Sequence, residues 1–291
     1  MLKSVPVLAG AGVLVMLAAA SLAHPPLAVA APLEVVVANQ ALRAGGEHVP
    51  ANLDRLLRRL EEVGGWPQGS LRGKAFVNPR EALSYVRKNR VPFAVLPPHQ
   101  LVEGRKELRL EVLGRAVGLE GTQPGYWGVT LAGKRTPMWE HIEETPGLRL
   151  ALTEGYDEQW VRVLMEGNVS APRTHFKLIE VASDEEALAA VLARRADVAL
   201  IYESTFTALK TRVRPGGDLA WVYATGNLPP LAVVATRFAS AADRKKLTAA
   251  LAKVCKGDAG AEACGRMALM YMEPGHAGDY NEVIQKYAGY R

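Results

Sequence analysis

The sequence predicts an α/β protein of two similar lobes, each a mainly parallel sheet flanked by helices, joined by a hinge of two crossing strands. Three observations predict it. From Leu33 onward, short apolar strand-like runs alternate with amphipathic helical stretches, the pattern of parallel strands joined by helical crossovers. A strand–helix–strand unit over 74–96 recurs over 176–201 at a constant offset of 105 residues, which lays Glu81, Ala82, Leu83, Val86, Arg90 and Ala94 on Glu186, Ala187, Leu188, Val191, Arg195 and Ala199. Two Gly- and Pro-containing interruptions, at 118–128 and 223–230, then divide the chain. The expected organisation is a leader over 1–30, a first lobe of 31–127 plus 225–291, and a second lobe of 128–224 inserted between them.

Taken in order, Leu33-Glu34-Val35-Val36-Val37-Ala38 is the first strand. Leu53, Leu56, Leu57, Leu60 and Val63 follow on one face of a helix, at the i, i+3, i+4, i+7 spacing of a helix packed on a sheet. A strand at 74–77 leads to Asn78-Pro79-Arg80-Glu81, where Asn caps, Pro fits the first helical position and Glu81 reaches back to the cap. Helix 79–90 and strand 91–96 complete the unit. In its counterpart, strand 176–181 precedes the capping box Ser183-Asp184-Glu185-Glu186, a helix to Arg195 and strand 197–201. From Leu231 one more strand leads to a helix opened by Ser240-Ala241-Ala242-Asp243, with Leu247, Leu251 and Val254 inward. Met267, Met270 and Met272, close to His276, have the spacing of the buried face of a helix, which favours core packing over soft metal ligation.

Composition excludes several classes. With 49% hydrophobic and 22% charged residues and two cysteines in 291 positions, the chain is neither disordered, nor disulfide-dense, nor a multi-span membrane protein. The 35 Lys+Arg against 30 Asp+Glu are dispersed, so the net charge of +5 makes no nucleic-acid footprint. Lys3 is the only formal charge before Glu34, and 5–23 is apolar. That is the layout of a secretory signal. Cleavage sites are offered by Ser21-Leu22-Ala23 and by Ala28-Val29-Ala30, the second preferred; an uncleaved anchor is the alternative. Export to the periplasm is expected. In that oxidising compartment Cys255 and Cys264, nine positions apart, suit a disulfide better than a metal site, because no companion ligand stands at short spacing.

With these residues in place, the chain resembles the type II periplasmic solute-binding proteins, and among them the phosphate/phosphite/phosphonate branch of ABC-transporter substrate-binding proteins. The resemblance spans nearly all of the chain beyond the leader. It rests on Glu81-Ala82-Leu83 through Phe93-Ala94-Val95-Leu96, on Tyr126-Trp127-Gly128-Val129, on Asp184-Glu185-Glu186-Ala187-Leu188 leading to Arg195-Ala196-Asp197-Val198-Ala199, and on Asp279-Tyr280-Asn281-Glu282-Val283. It implies a monomer that captures a small ligand in a cleft between lobes and hands it to a membrane permease.

In open α/β sheets ligands bind beyond the carboxyl ends of strands. Four strand-end loops should therefore face the cleft: Asn39-Gln40, Pro97-Pro98-His99-Gln100, Thr153-Glu154-Gly155-Tyr156-Asp157 and Tyr202-Glu203-Ser204-Thr205. Amides of the helices that follow, with the hydroxyls of Thr153, Ser204 and Thr205, suit an anion such as a phosphonate or other oxyanion. The third loop departs from the family's pattern. Phosphonate binders present a Ser/Thr-rich stretch there, whereas this chain reads Glu154-Gly155-Tyr156-Asp157-Glu158, whose carboxylates repel an anion. Asp157 and Glu158 also suit helix capping, which leaves Glu154 as the inward candidate. Glu203, with His99 opposite it, suits a cation or an amine-bearing ligand. Tyr126, Trp127, Tyr156 and Tyr202 suit stacking on a ring or cation, and equally packing at the hinge.

Gly-x-Ser-x-Gly, His-Glu-x-x-His, the phosphate-binding Gly-x-x-x-x-Gly-Lys-Ser/Thr and a dinucleotide fingerprint after the first strand are all missing from the sequence. No enzyme activity and no cofactor are expected. Two classes of function remain: a receptor that delivers a small polar solute to an ABC transporter, and a periplasmic accessory or sensor protein that uses the same fold to hold a protein partner.

Overall fold

The computed structural model describes residues 31–290 apart from 119–120, 122–123, 133–137, 154 and 211–218. The expected leader over 1–30 lies outside the described residues. In chain order the elements are β1 (Leu33–Ala38), a 3-10 segment (Gln40–His48), α1 (Val49–Gly64), β2 (Leu71–Phe76), α2 (Pro79–Asn89), β3 (Phe93–Leu96), α3 (Pro98–Leu108) and β4 (Glu111–Gly118). Next come β5 (Tyr126–Leu131), α4 (Trp139–Glu144), β6 (Arg149–Thr153), α5 (Glu158–Leu164), α6 (Pro172–His175), β7 (Lys177–Val181), α7 (Asp184–Leu192), β8 (Val198–Tyr202), α8 (Glu203–Lys210) and β9 (Leu219–Ala224). The chain closes with β10 (Leu231–Ala235), α9 (Ala241–Leu251), α10 (Gly257–Gly265), β11 (Leu269–Pro274), a 3-10 turn (Ala277–Tyr280) and α11 (Asn281–Gly289).

These strands make two sheets, β11-β4-β10-β3-β1-β2 and β7-β6-β8-β5-β9. The repeat seen in the sequence is a repeat of position. In the first sheet β2 and β3 flank β1 in parallel; in the second β7 and β8 flank β6 in parallel. The antiparallel neighbour comes from a crossing strand in both lobes, β10 beside β3 and β5 beside β8. The sheets are thus mixed, with the parallel strands confined to the helix-linked units.

Burial on both faces explains the unbroken apolar runs. Along β1, Val36 and Ala38 join one cluster of the core while Val35 and Val37 join another. The leucine stripe of α1 belongs to the second of these. Asn78 and Ser183 cap α2 and α7 through their side chains, each accepting backbone N–H bonds, and Pro79 takes the first turn of α2.

Two segments cross between the sheets, after β4 and after β9, and they run side by side. The Tyr126 amide donates to Thr225 Oγ1 at 3.0 Å and the Thr225 amide to the Tyr126 carbonyl at 2.8 Å. The Leu228 amide donates to the Pro124 carbonyl at 3.0 Å. The last helix reaches across as well. Although β11 pairs in the first sheet, the Tyr287 hydroxyl of α11 donates to Asp157 at the start of α5. The Arg162 guanidinium donates to the Tyr290 carbonyl at 2.5 Å and stands 4.7 Å from that residue's ring.

The methionines correct one expectation. They sit at a turn and on β11 rather than on a helix: Met267 and Met272 are buried and Met270 is exposed. Cys255 and Cys264 form a disulfide with Cα atoms 5.6 Å apart. Because it closes a short loop, replacing both cysteines with serine is expected to cost about 2–3 kcal/mol of unfolding free energy in denaturant melts, and reduction of the parent should match the double variant. Among the described residues no helix is long and apolar enough to cross a membrane.

Candidate functional site

The carboxyl ends of the two parallel triplets face one another across a cavity of about 680 Å³. On the first lobe its wall is Asn39 to Ala41 and Arg43 after β1, Pro79 at the head of α2, and Pro97 to His99 at the head of α3. On the second lobe it is Trp160 of α5, Ala182 to Glu185 at the head of α7, and Tyr202, Ser204 and Thr205 at the end of β8. Leu228 to Leu231 of the crossing segment close one side. The lobes touch at the rim, where the Arg43 guanidinium donates to the Ala182 carbonyl. Gly155, at φ +102°, makes the turn between β6 and α5 and packs beside Asn78 and Arg80 of the opposite lobe, a backbone region that favours glycine.

Five expected residues line the cavity: Asn39, His99, Tyr202, Ser204 and Thr205. Asn39 Oδ1 caps the 3-10 segment by accepting from the Ala41 amide at 3.0 Å, while its Nδ2, buried, has no hydrogen-bond partner. His99 and Gln100 belong to the first turn of α3 rather than to a loop, because Pro98 occupies the position where a missing N–H costs nothing. His99 is 4% exposed and packs against the rings of Tyr156 and Trp160, with centroids 5.0 and 5.5 Å away. Burial lowers its pKa to about 3, so it is a neutral imidazole, and its Nε2 is unpaired. The indole Nε1 of Trp160 is buried and unpaired as well.

Four others stand behind this wall. Tyr126 and Tyr156 are both 1% exposed, their hydroxyls 2.5 Å apart; burial pushes both phenols well above their ordinary pKa. The Tyr126 ring packs on Tyr202 at 4.1 Å. Gln100 is fully buried and donates to Glu103 at 3.2 Å. Thr153 is buried and donates to Asp184 Oδ1 at 2.6 Å.

The carboxylates fall differently from the expectation. Glu203 is exposed beside the crossing segment, its amide donating to the Gly125 carbonyl at 3.0 Å, and it is not part of the cavity wall. It begins α8 one residue before the position that matches His99 in the repeat, Ser204, and it is Ser204 that faces inward. Glu203 is thus absent from the cavity wall that His99 lines, and Ser204 stands there instead. Asp157 is spent on capping α5, accepting from the Trp160 amide at 2.7 Å. Glu154 lies outside the described residues.

Sequence reasoning missed Arg43, Trp160 and Asp184. Asp184 is the buried carboxylate in the wall: it accepts from Thr153, from the Tyr202 amide at 2.8 Å and from the Thr205 hydroxyl at 3.3 Å. Burial raises its pKa to about 6 against the pull of those donors. One signal pointed to it: the repeat lays Asp184 on Pro79, and both line the cavity.

A model of the family described as ABC transporter, phosphonate, periplasmic substrate-binding protein matches residues 46–280. No curated protein matches the sequence. Among solved structures, a binding-protein component of an ABC phosphonate transporter from Pseudomonas aeruginosa superposes with a TM-score of 0.68 at 13% identity, over 89% of this chain and 86% of that one. A Xanthomonas citri protein solved with chloride gives 0.69 at 15% identity, over 89% and 97%. PhnD1 from Prochlorococcus marinus, in complex with methylphosphonate, gives 0.63 at 12% identity, over 88% and 97%. At these identities the likeness to each structure is one of fold.

Proposed function

Because the chain belongs to the phosphonate-binding family of periplasmic substrate-binding proteins of ABC transporters, we propose that it captures one small polar solute in the cavity between its lobes and delivers it to a membrane permease. Exported through the 1–30 leader, it acts as a monomer whose lobes swing about the two crossing segments to admit and enclose the solute. The observation that carries this reading is the cavity itself, about 680 Å³ between two sets of strand ends. Two residues of its wall, Asn39 and Trp160, each hold a buried nitrogen, Nδ2 and Nε1, with no hydrogen-bond partner. A buried donor left unpaired costs on the order of 1–3 kcal/mol; a bound solute bearing acceptors removes that cost. Structures of similar fold hold chloride and methylphosphonate, which makes anionic solutes the first to try.

Calorimetry and thermal-shift screens across phosphonates, other oxyanions, amines and polyols test the proposal. One saturable ligand at one site is expected. Asn39→Asp keeps the oxygen that caps the 3-10 segment and exchanges the free donor for an acceptor, so it should fold normally and bind that ligand at least about tenfold more weakly. Unchanged affinity removes Asn39 from the site, and a screen with no ligand removes the proposal.

A further inference from the structure

Three donors at the strand ends of the second lobe are already taken by a side chain of the protein. Asp184, the first residue of α7, is 5% exposed and lines the cavity. Its carboxylate receives the Thr153 hydroxyl at 2.6 Å, the Tyr202 amide at 2.8 Å and the Thr205 hydroxyl at 3.3 Å. These donors come from the ends of β6 and β8 and the start of α8, the strand-end positions where open α/β sheets bind ligands. No ion pair with Asp184 forms among the described residues, and its raised pKa has burial as its largest cause, with the neighbouring Glu185 adding to it. Elsewhere in the wall the situation is reversed, on Asn39 and His99 of the first lobe and on Trp160 of the second. Asn39, His99 and Trp160 are 6%, 4% and 1% exposed and hold unpaired nitrogens.

We propose that Asp184 is a tethered anion that fills the second lobe's oxyanion cradle. The cleft then takes a solute that presents hydrogen-bond acceptors to Asn39 and Trp160, and a donor, hydroxyl or ammonium, to Asp184. A doubly charged phosphonate with an apolar tail satisfies Asn39 and Trp160 and meets repulsion at Asp184. The proposal rests on the solute-capture reading above and adds to it which chemistry each end of the solute carries.

The test uses three probes that share one head group, ethylphosphonate, 2-hydroxyethylphosphonate and 2-aminoethylphosphonate, titrated calorimetrically into the exported chain, with inorganic sulfate as a fourth. The parent should bind the hydroxyl or the amino probe at least about tenfold tighter than ethylphosphonate, and whichever of the two binds tighter identifies the donor. Asp184→Ala empties the cradle while leaving its three donors; sulfate should then raise the Tm of this variant by about 3 °C or more and leave the parent unmoved. Equal affinity of the parent for all three probes overturns the proposal, even if Asp184→Ala does not fold. So does a folded Asp184→Ala chain that gains nothing from sulfate or ethylphosphonate. If the parent nevertheless carries a solute in native mass spectrometry, only the tethered anion fails. If it carries none and takes up none, the solute-capture reading fails with it.

Discussion

His99→Gln is expected to become more stable relative to the parent as pH falls, by about 3 kcal/mol between pH 7.5 and pH 4. The parent imidazole is buried against Tyr156 and Trp160 and titrates at about 3 in the folded chain. In the unfolded chain it takes a proton near pH 6.5. Its folded pKa is thus depressed: the folded state is at no disadvantage above pH 6.5, and it loses about 1.4 kcal/mol for each unit of pH below that, down to about 3. The phenol facing it, Tyr156, is held neutral by a raised pKa and does not change the sign. Asp184 works in the opposite direction. Its folded pKa of about 6 lies above the unfolded value of 3.8, so its contribution is present below about pH 4 and lost as pH rises through 6. The parent should therefore show a muted net response from these two groups between pH 6 and 4. Denaturant melts of parent and variant at matched pH values isolate the histidine, because the other groups cancel in the difference. Parallel curves for the two chains would refute the assignment of a buried neutral imidazole.

Trp160→Ala is expected to cost about 3–5 kcal/mol of unfolding free energy and to abolish ligand capture. The indole is 1% exposed, packs in the cluster that runs between the lobes, and stands 5.5 Å from the His99 ring. Trp160→Phe separates the two roles. It keeps most of the apolar contact and removes only the Nε1 donor, so it should fold with a loss of about 1–2 kcal/mol while binding weakens at least about tenfold. Equal binding by Trp160→Phe and the parent would show that the indole N–H does not face the solute.

The architecture was legible because its causes are local. Side-chain caps at Asn78 and Ser183, a proline at the first turn, and apolar spacing on α1 act within a few residues, and the 105-residue repeat then places β3 and β8 alike in their sheets. What depends on neighbours from elsewhere was not legible. Pro97-Pro98 has the composition of a loop, yet Pro98 starts a helix, which draws His99 inward and strips its charge. Glu203 has the composition of a cleft carboxylate, but the phase of α8 turns Ser204 and Thr205 toward the cavity instead. Asp184 sits inside a capping sequence that accounts for itself locally, so only the approach of Thr153, Tyr202 and Thr205 reveals a second role. Met267, Met270 and Met272 have helix-like spacing, yet they fall on a turn and a strand, with Met270 exposed.

Native mass spectrometry of the chain, first as freshly purified and then after incubation with the solute panel, tests solute capture most directly. The account predicts a single small mass bound one to one by the parent, carried at much lower occupancy by Asn39→Asp under the same conditions. A parent chain that stays bare with every solute, or an Asn39→Asp chain that carries the same mass at the same occupancy, would contradict it.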